Sequence, residues 1–151
     1  MNKNKPTLTL VRGLPGSGKT TVATQCCITD GTQLTSADYF FEGTDGVYRF
    51  NPSKLPEAHA TCQAATRRVL ERGKDVMVHN TFSQGWEATP YVEMARDLGA
   101  KISVIDLFDA GLTDDELFKR NVHGVPLETI KAMRSRWDKD LLASQALKPL
   151  R

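Results

Sequence analysis

Short apolar runs rich in β-branched residues alternate along this chain with longer stretches in which apolar side chains recur every three to four positions, which predicts strands separated by helices. Thr7 to Val11 (TLTLV) reads as a first strand. A glycine-rich loop follows, then a helix from about Lys19 to Thr29 that Gly31 can terminate. Leu34 to Ser36 is a short second strand. From Ser53 onward, Leu55, Ala58, Cys62, Ala65 and Val69 are spaced 3, 4, 3 and 4 with Arg67, Arg68 and Glu71 between them, an amphipathic helix that Gly73 closes.

Asp75 to Val78 makes a third strand. Thr89-Pro90 predicts a helix N-cap with proline at the first helical position, and Tyr91, Met94, Ala95 and Leu98 continue it to Gly99. Lys101 to Phe108 (KISVIDLF) is the clearest strand of the four. Thr113 to Glu116 forms a capping box that opens a short helix to about Val122. Pro126 opens another to Trp137, with Leu127, Ile130, Met133 and Trp137 on its apolar side. Strands joined through helices imply a parallel sheet covered by helices, with ligand chemistry at the carboxyl ends of the strands.

A chain of 151 residues has room for a single core, so 1–151 is expected to form one domain. Its composition, 40% hydrophobic and 25% charged, is that of a globular protein rather than a disordered or fibrous one. No apolar run approaches the ~20 residues of a membrane span, and no targeting signal is visible. Cys26, Cys27 and Cys62 fit neither a paired disulfide framework nor a metal-ligand spacing with the three histidines, which points to a reducing cytoplasm. Charge is uneven. Residues 1–116 carry 12 Lys/Arg against 15 Asp/Glu, and residues 117–151 carry 8 against 3. A basic final third can close over phosphates or touch nucleic acid, or it can be a solvated helical face.

Gly13-Leu14-Pro15-Gly16-Ser17-Gly18-Lys19-Thr20 matches G-x-x-x-x-G-K-[ST] at every fixed position. It leaves a strand and enters a helix, the arrangement that aims successive backbone N–H groups and a helix N-terminus at one anion. The expectation is ATP with Mg²⁺. Gly13, Pro15, Gly16, Ser17, Gly18, Lys19, Thr20 and Thr21 form the nucleotide site. Gly16 lets the backbone approach the phosphates, Lys19 reaches the β and γ phosphates, and the Thr20 hydroxyl takes the metal. The fold expected is therefore α/β, a P-loop NTPase three-layer sandwich with a parallel sheet and a C-terminal helical lid over about 113–137.

Other positions leave alternatives open. Asp38, just after the second strand, can accept the proton of an attacking hydroxyl or can cap the following turn. His79-Asn80-Thr81 ends the third strand where many P-loop proteins carry a Walker B aspartate, so His79 raises the question of metal use. Asp106 is either a substitute metal ligand or a buried hydrogen-bonding residue. Lys119, Arg120, Lys131 and Arg134 are candidates for charge neutralisation from a lid, or plain surface charges. Trp86 and Tyr91 can stack on a base or pack in the core.

The chain resembles the P-loop kinase family that includes the bacteriophage polynucleotide 5′-hydroxyl kinases and related DNA (hydroxymethyluracil) kinases. The likeness rests on Arg12 to Thr20, on Ser36-Ala37-Asp38-Tyr39-Phe40, and on Tyr48-Arg49-Phe50-Asn51-Pro52 with Glu57-Ala58-His59. Asn80-Thr81 and Arg120 to Pro126 complete it. The resemblance implies that Asp38 is the general base, that Arg120 is the lid arginine over the nucleotide's phosphates, and that Asn80 and Thr81 belong to the acceptor site. It departs at His79 to Phe82, where relatives carry an aspartate and a second asparagine. Transfer of the γ-phosphate of ATP to a hydroxyl on nucleic acid, DNA above all, is the function expected. A nucleoside or small-metabolite kinase and a nucleotide-binding regulatory module are the alternatives. No membrane association and no obligate protein partner are expected.

Overall fold

The computed structural model describes residues 5–146. Four parallel strands form one sheet in the order β2-β3-β1-β4: β1 (Thr7–Arg12), β2 (Gln33–Thr35), β3 (Val76–His79) and β4 (Lys101–Asp106). Register sets Val11 of β1 beside His79 of β3, and Arg12 beside Asp106 of β4. The carboxyl ends of these strands therefore meet at one edge of the sheet.

Burial explains the layers. Leu8 and Leu10 of β1, with Val76 and Val78 of β3, face a core closed by α2 (Leu55–Glu71) and α3 (Gly85–Leu98) through Cys62, Val69, Leu70, Tyr91, Val92 and Met94. Val11 and Met77 point the opposite way and pack on Ala23 of α1 (Lys19–Asp30), the period-2 alternation of a strand covered on both faces. This is the three-layer α/β sandwich. At about 25 cal/mol per Å² of apolar area, each of these fully buried side chains contributes roughly 2 kcal/mol.

The C-terminal helices α4 (Asp114–Arg120) and α5 (Leu127–Ser135) have a core of their own. Leu117 and Ile130 enclose Leu14 of the glycine loop, with Phe108, Val125, Met133 and Trp137 around them. Arg134 clamps the pair: its guanidinium reaches Asp109 and Asp114 at 2.7 Å each and donates to the Leu112 carbonyl at 3.0 Å. Arg134 is thus committed to the lid's own structure. A last short helix, α6 (Ala143–Ala146), lies against α3.

Several boundaries differ from those read in the sequence. The third layer helix starts at Gly85 rather than at Pro90, because Glu87 reaches back to the Gln84 N–H at 3.0 Å and opens the helix one turn earlier, leaving Pro90 inside it. Strand β4 stops at Asp106, whose carboxylate accepts the Phe108 N–H and turns the chain; Phe108 and Ala110 then take left-handed conformations. α4 ends at Arg120, where Asn121 leaves the helix.

Candidate functional site

The loop from Gly13 to Gly18 spans the carboxyl end of β1 and the start of α1, and its backbone is anchored at two points. Gly13 N–H donates to the Thr81 carbonyl at 3.3 Å, and Leu14 N–H to the Phe108 carbonyl at 2.8 Å. Gly18 stands at the N-cap of α1 with φ 99°, and no side chain caps the helix, so its first-turn N–H groups await an acceptor. The Ser17 hydroxyl is buried without a hydrogen-bond partner among the described residues. Such an orphan needs a ligand to satisfy it.

Lys19 Nζ donates to the Gly13 and Leu14 carbonyls at 2.7 and 3.2 Å. Burial of its ammonium lowers its pKa to about 8, and the charge of Asp38 opposes that shift. Two neutral carbonyls do not compensate a buried cation, whereas phosphate oxygens do. Free loop donors, an orphan hydroxyl and an under-compensated ammonium together fit a nucleotide phosphate chain. Thr20 and Thr21 are exposed in the first turn of α1. Among the described residues no group of three or more His, Cys, Asp or Glu could hold an ion alone, so a magnesium ion here would rest on Thr20 and the nucleotide's own phosphates.

Two glycines of the loop have requirements set by the protein itself. A Cβ on Gly16, which has φ 85°, would be driven into the Leu117 carbonyl of α4, so this position is glycine because the lid packs on it. Gly18 has open space where its Cβ would stand. Its requirement is the left-handed backbone that starts the helix.

Beside the loop, a 3₁₀ turn (Ala37–Phe41) carries Asp38. Ser36, not Asp38, caps this turn: its hydroxyl accepts the Asp38 N–H at 3.1 Å. That removes the capping reading of Asp38. Its carboxylate faces Tyr48, whose hydroxyl donates to Oδ1 at 3.3 Å, and His123, whose Nδ1 lies 3.4 Å from Oδ2. Burial pushes the Asp38 pKa up, but the His123 bond and charge, with Lys19 and Tyr48, outweigh it and leave the pKa below the ordinary carboxylate value. Asp38 is ionised at neutral pH.

Asn80 is buried beneath that turn. Its side-chain carbonyl accepts the Ala37 N–H at 2.9 Å and the Ser36 hydroxyl at 3.3 Å, so it holds Asp38 in place from below. Thr81 is half-buried, with its carbonyl committed to the loop. His79 is buried at the end of β3 and shares a 2.8 Å hydrogen bond with the Tyr39 hydroxyl; burial lowers its pKa to about 4, so it is neutral.

Arg120 ends the helix that packs on Gly16. It is exposed and makes no ion pair among the described residues. Lys131 is exposed beside Glu128 at 3.9 Å. Arg12 serves the fold instead: fully buried, it donates to the Phe82 carbonyl at 2.8 and 3.0 Å, pairs with Asp106 at 3.0 Å and lies 3.9 Å over the Trp137 ring. That pairing takes Asp106 out of consideration as a metal ligand. Tyr91 is a core residue bonded to Cys62 at 3.2 Å, whereas Trp86 is exposed.

Tyr48 and His123 stood in the sequence without an assigned role. Their rings stack at 4.1 Å and 15°, and both meet Asp38. Their sequence signal is only membership in two motifs of the resemblance, Tyr48-Arg49-Phe50-Asn51-Pro52 and Arg120 to Pro126.

Comparison with known proteins gives this geometry a lineage. Residues 8–139 match the family described as AAA domain. The chain belongs to that family. Human NEDD4-binding protein 2 is 36% identical over 134 residues, a match covering 83% of this chain and 7% of that protein, so the chain spans a small part of its relative's length. Among solved structures, a chain of the Pnkp1/Rnl/Hen1 RNA repair complex superposes with a TM-score of 0.72 at 21% identity, over 99% of this chain and 48% of its own. APS kinase CysC of Mycobacterium tuberculosis, in complex with AMPPNP and APS, gives a TM-score of 0.52 at 16% identity over 70% of this chain and 64% of its own. This member of the AAA domain family has the α/β P-loop kinase-like fold. No helix among the described residues is long and apolar enough to cross a membrane.

Proposed function

We propose that the chain is an ATP-dependent phosphotransferase that moves the γ-phosphoryl group to a hydroxyl on nucleic acid, either a 5′-hydroxyl end or a hydroxymethylated base in DNA, with Mg²⁺ and in the cytoplasm. The observation that carries this reading is the ionised Asp38 carboxylate, fixed at the carboxyl end of the sheet near enough to Lys19 for each to shift the other's ionisation. A base must stand next to the γ-phosphate to take a proton from an incoming alcohol. Asn80 and Ser36 hold it there through the turn that carries it.

Lys19, the loop N–H groups and the Ser17 hydroxyl bind and orient the phosphates, and Leu14 docked under the lid keeps water from one side of them. Thr20 would hold the magnesium ion, which supplies charge neutralisation on the phosphates when bound. Arg120 stabilises the charge that develops on the transferred group. The half-exposed Phe50, parallel to within 6° of the Tyr48 ring that bonds Asp38, offers a ring face that suits a nucleobase. The basic final third of the chain suits a phosphodiester backbone.

A second reading, transfer to a nucleoside or small metabolite, draws on the fold shared with APS kinase CysC. The test is incubation with γ-labelled ATP and Mg²⁺ against 5′-hydroxyl DNA, 5′-hydroxyl RNA, hydroxymethyluracil DNA, nucleosides and water. Label on a nucleic acid supports the proposal, label on nucleosides alone moves it to the second reading, and label on none of them makes the chain a binding module.

A further inference from the structure

Removing a proton from an alcohol is only half of a proton's path. An aspartate with a depressed pKa is a weak base that holds a proton poorly, so a neighbouring group that receives the proton from it helps it act. Among the described residues, one side chain at Asp38 has an atom able to do this. Tyr48 donates to Oδ1 and burial, with the Asp38 charge, raises its pKa, so it keeps its own proton. Lys19 is occupied by the loop carbonyls. His79 bonds to Tyr39 and is neutral, with its pKa lowered by burial. His123 presents Nδ1 to Oδ2 at 3.4 Å.

His123 is also held in place. It sits in the loop between α4 and α5, which Asn121 staples by accepting the Val125 N–H at 2.9 Å and donating to the Phe118 carbonyl at 2.8 Å. Its ring is stacked on Tyr48, whose hydroxyl bonds the other oxygen of the same carboxylate. The turn after β2, the segment ten residues on and the distant lid loop are thus joined by contacts around Asp38. A charge placed only to dock the lid needs no such ring orientation.

Building on the kinase reading, we propose that His123 is the positioning residue behind Asp38: its ring, stacked on Tyr48, sets Nδ1 against Oδ2, and in the Nε2–H tautomer that bare nitrogen receives the proton from the carboxylate. In the step so drawn, the acceptor's O–H bond breaks as its oxygen bonds the γ-phosphorus. The bond from that phosphorus to the bridging oxygen breaks, and its electron pair leaves on ADP. The proton enters the Asp38 carboxylate and passes through Oδ2 to neutral His123, which becomes an imidazolium and later returns the proton to solvent.

The pH dependence follows with a definite sign. Asp38 raises the His123 pKa above the ordinary imidazole value, its hydrogen bond being the largest cause; desolvation and the Lys19 charge oppose it, and Glu42 adds to it. Only neutral His123 can receive the proton, so transfer rises with pH through the His123 ionisation. Asp38 is already ionised throughout that range and cannot produce the limb itself.

The test is single-turnover transfer to a 5′-hydroxyl DNA and acceptor-free ATP hydrolysis, each followed between about pH 5.5 and 8.5, in the wild-type chain and His123→Gln. Glutamine keeps a hydrogen-bonding side chain and cannot titrate. The wild type should show a rising limb whose midpoint lies above the ordinary imidazole value and matches the His123 titration seen by NMR, and that midpoint should fall in Asp38→Asn. His123→Gln should lose the limb in both reactions and be at least about tenfold slower at its plateau. A variant that keeps the wild-type pH profile, or that changes KM alone, overturns the proposal and makes His123 a lid contact. If hydrolysis shows the predicted pattern while DNA receives no label, the role of His123 stands and the nucleic-acid reading falls.

Discussion

The two halves of the site are built in opposite ways. The phosphate cradle comes from eight consecutive residues, Gly13 to Thr20, shaped by a strand end, a left-handed glycine and a helix N-terminus. The acceptor side draws Asp38, Tyr48, Asn80 and His123 from four separate segments and holds them by side-chain contacts. A local site depends on backbone conformation and tolerates changes elsewhere. An assembled site depends on every segment arriving, so it should be the first to fail when packing is disturbed.

The sharpest break on the cradle side is Lys19→Ala, which removes the one positioned cation while leaving the backbone donors. Transfer should fall by more than about 10³-fold with the melting temperature close to wild type. A labelled-transfer assay beside thermal denaturation checks both. Arg120→Ala is milder: kcat should drop by roughly 10² with ATP affinity within a few fold, because the residue acts on charge that develops during transfer. Lys131→Ala should do much less. Equal losses in the two variants would leave the lid role of Arg120 unsupported.

Gly16→Ala links the halves. The new Cβ collides with the Leu117 carbonyl in a left-handed conformation, and about 2–4 kcal/mol of stability should be lost, read by urea denaturation. His123, carried on the far side of α4, should then lose its hold on Asp38 even though the substitution lies in the cradle. The smallest effect expected concerns acid. The folded-state pKa of His79 is about 4, below the ordinary imidazole value, so the unfolded chain binds a proton that the folded chain refuses. Stability from this source is present above about pH 6.5 and is lost as pH falls toward 4, by about 3 kcal/mol at the limit. His79→Gln should flatten the melting temperature over that window.

What the sequence revealed follows the same division. The four strands, α1, α2 and the capping box of α4 were legible because each is fixed by nearby residues. The glycine loop was legible for the same reason. The start of α3 was misread at Pro90, since a proline at the first helical position and a proline one turn inside look alike until Glu87 is seen bonding Gln84. Asp106 and Arg134 could be read as functional charges, and only tertiary structure pairs them with Arg12 and with Asp109 and Asp114. Tyr48 and His123 carry no local pattern that marks them. Their meeting at Asp38 is a property of the folded lid and the turn after β2.

One measurement bears most directly on the division of labour between cradle and acceptor side: single-turnover phosphoryl transfer by Asp38→Asn, taken together with its ATP affinity and thermal denaturation. Asparagine keeps the size of the side chain and its contact with Tyr48. The variant should bind ATP as the wild type does, melt close to it, and transfer phosphate about 10² to 10⁴ more slowly, or roughly 3 to 5 kcal/mol of barrier. Wild-type turnover in this variant, or a slow rate accounted for by weakened ATP binding or by unfolding, would contradict the assignment of Asp38 as the base.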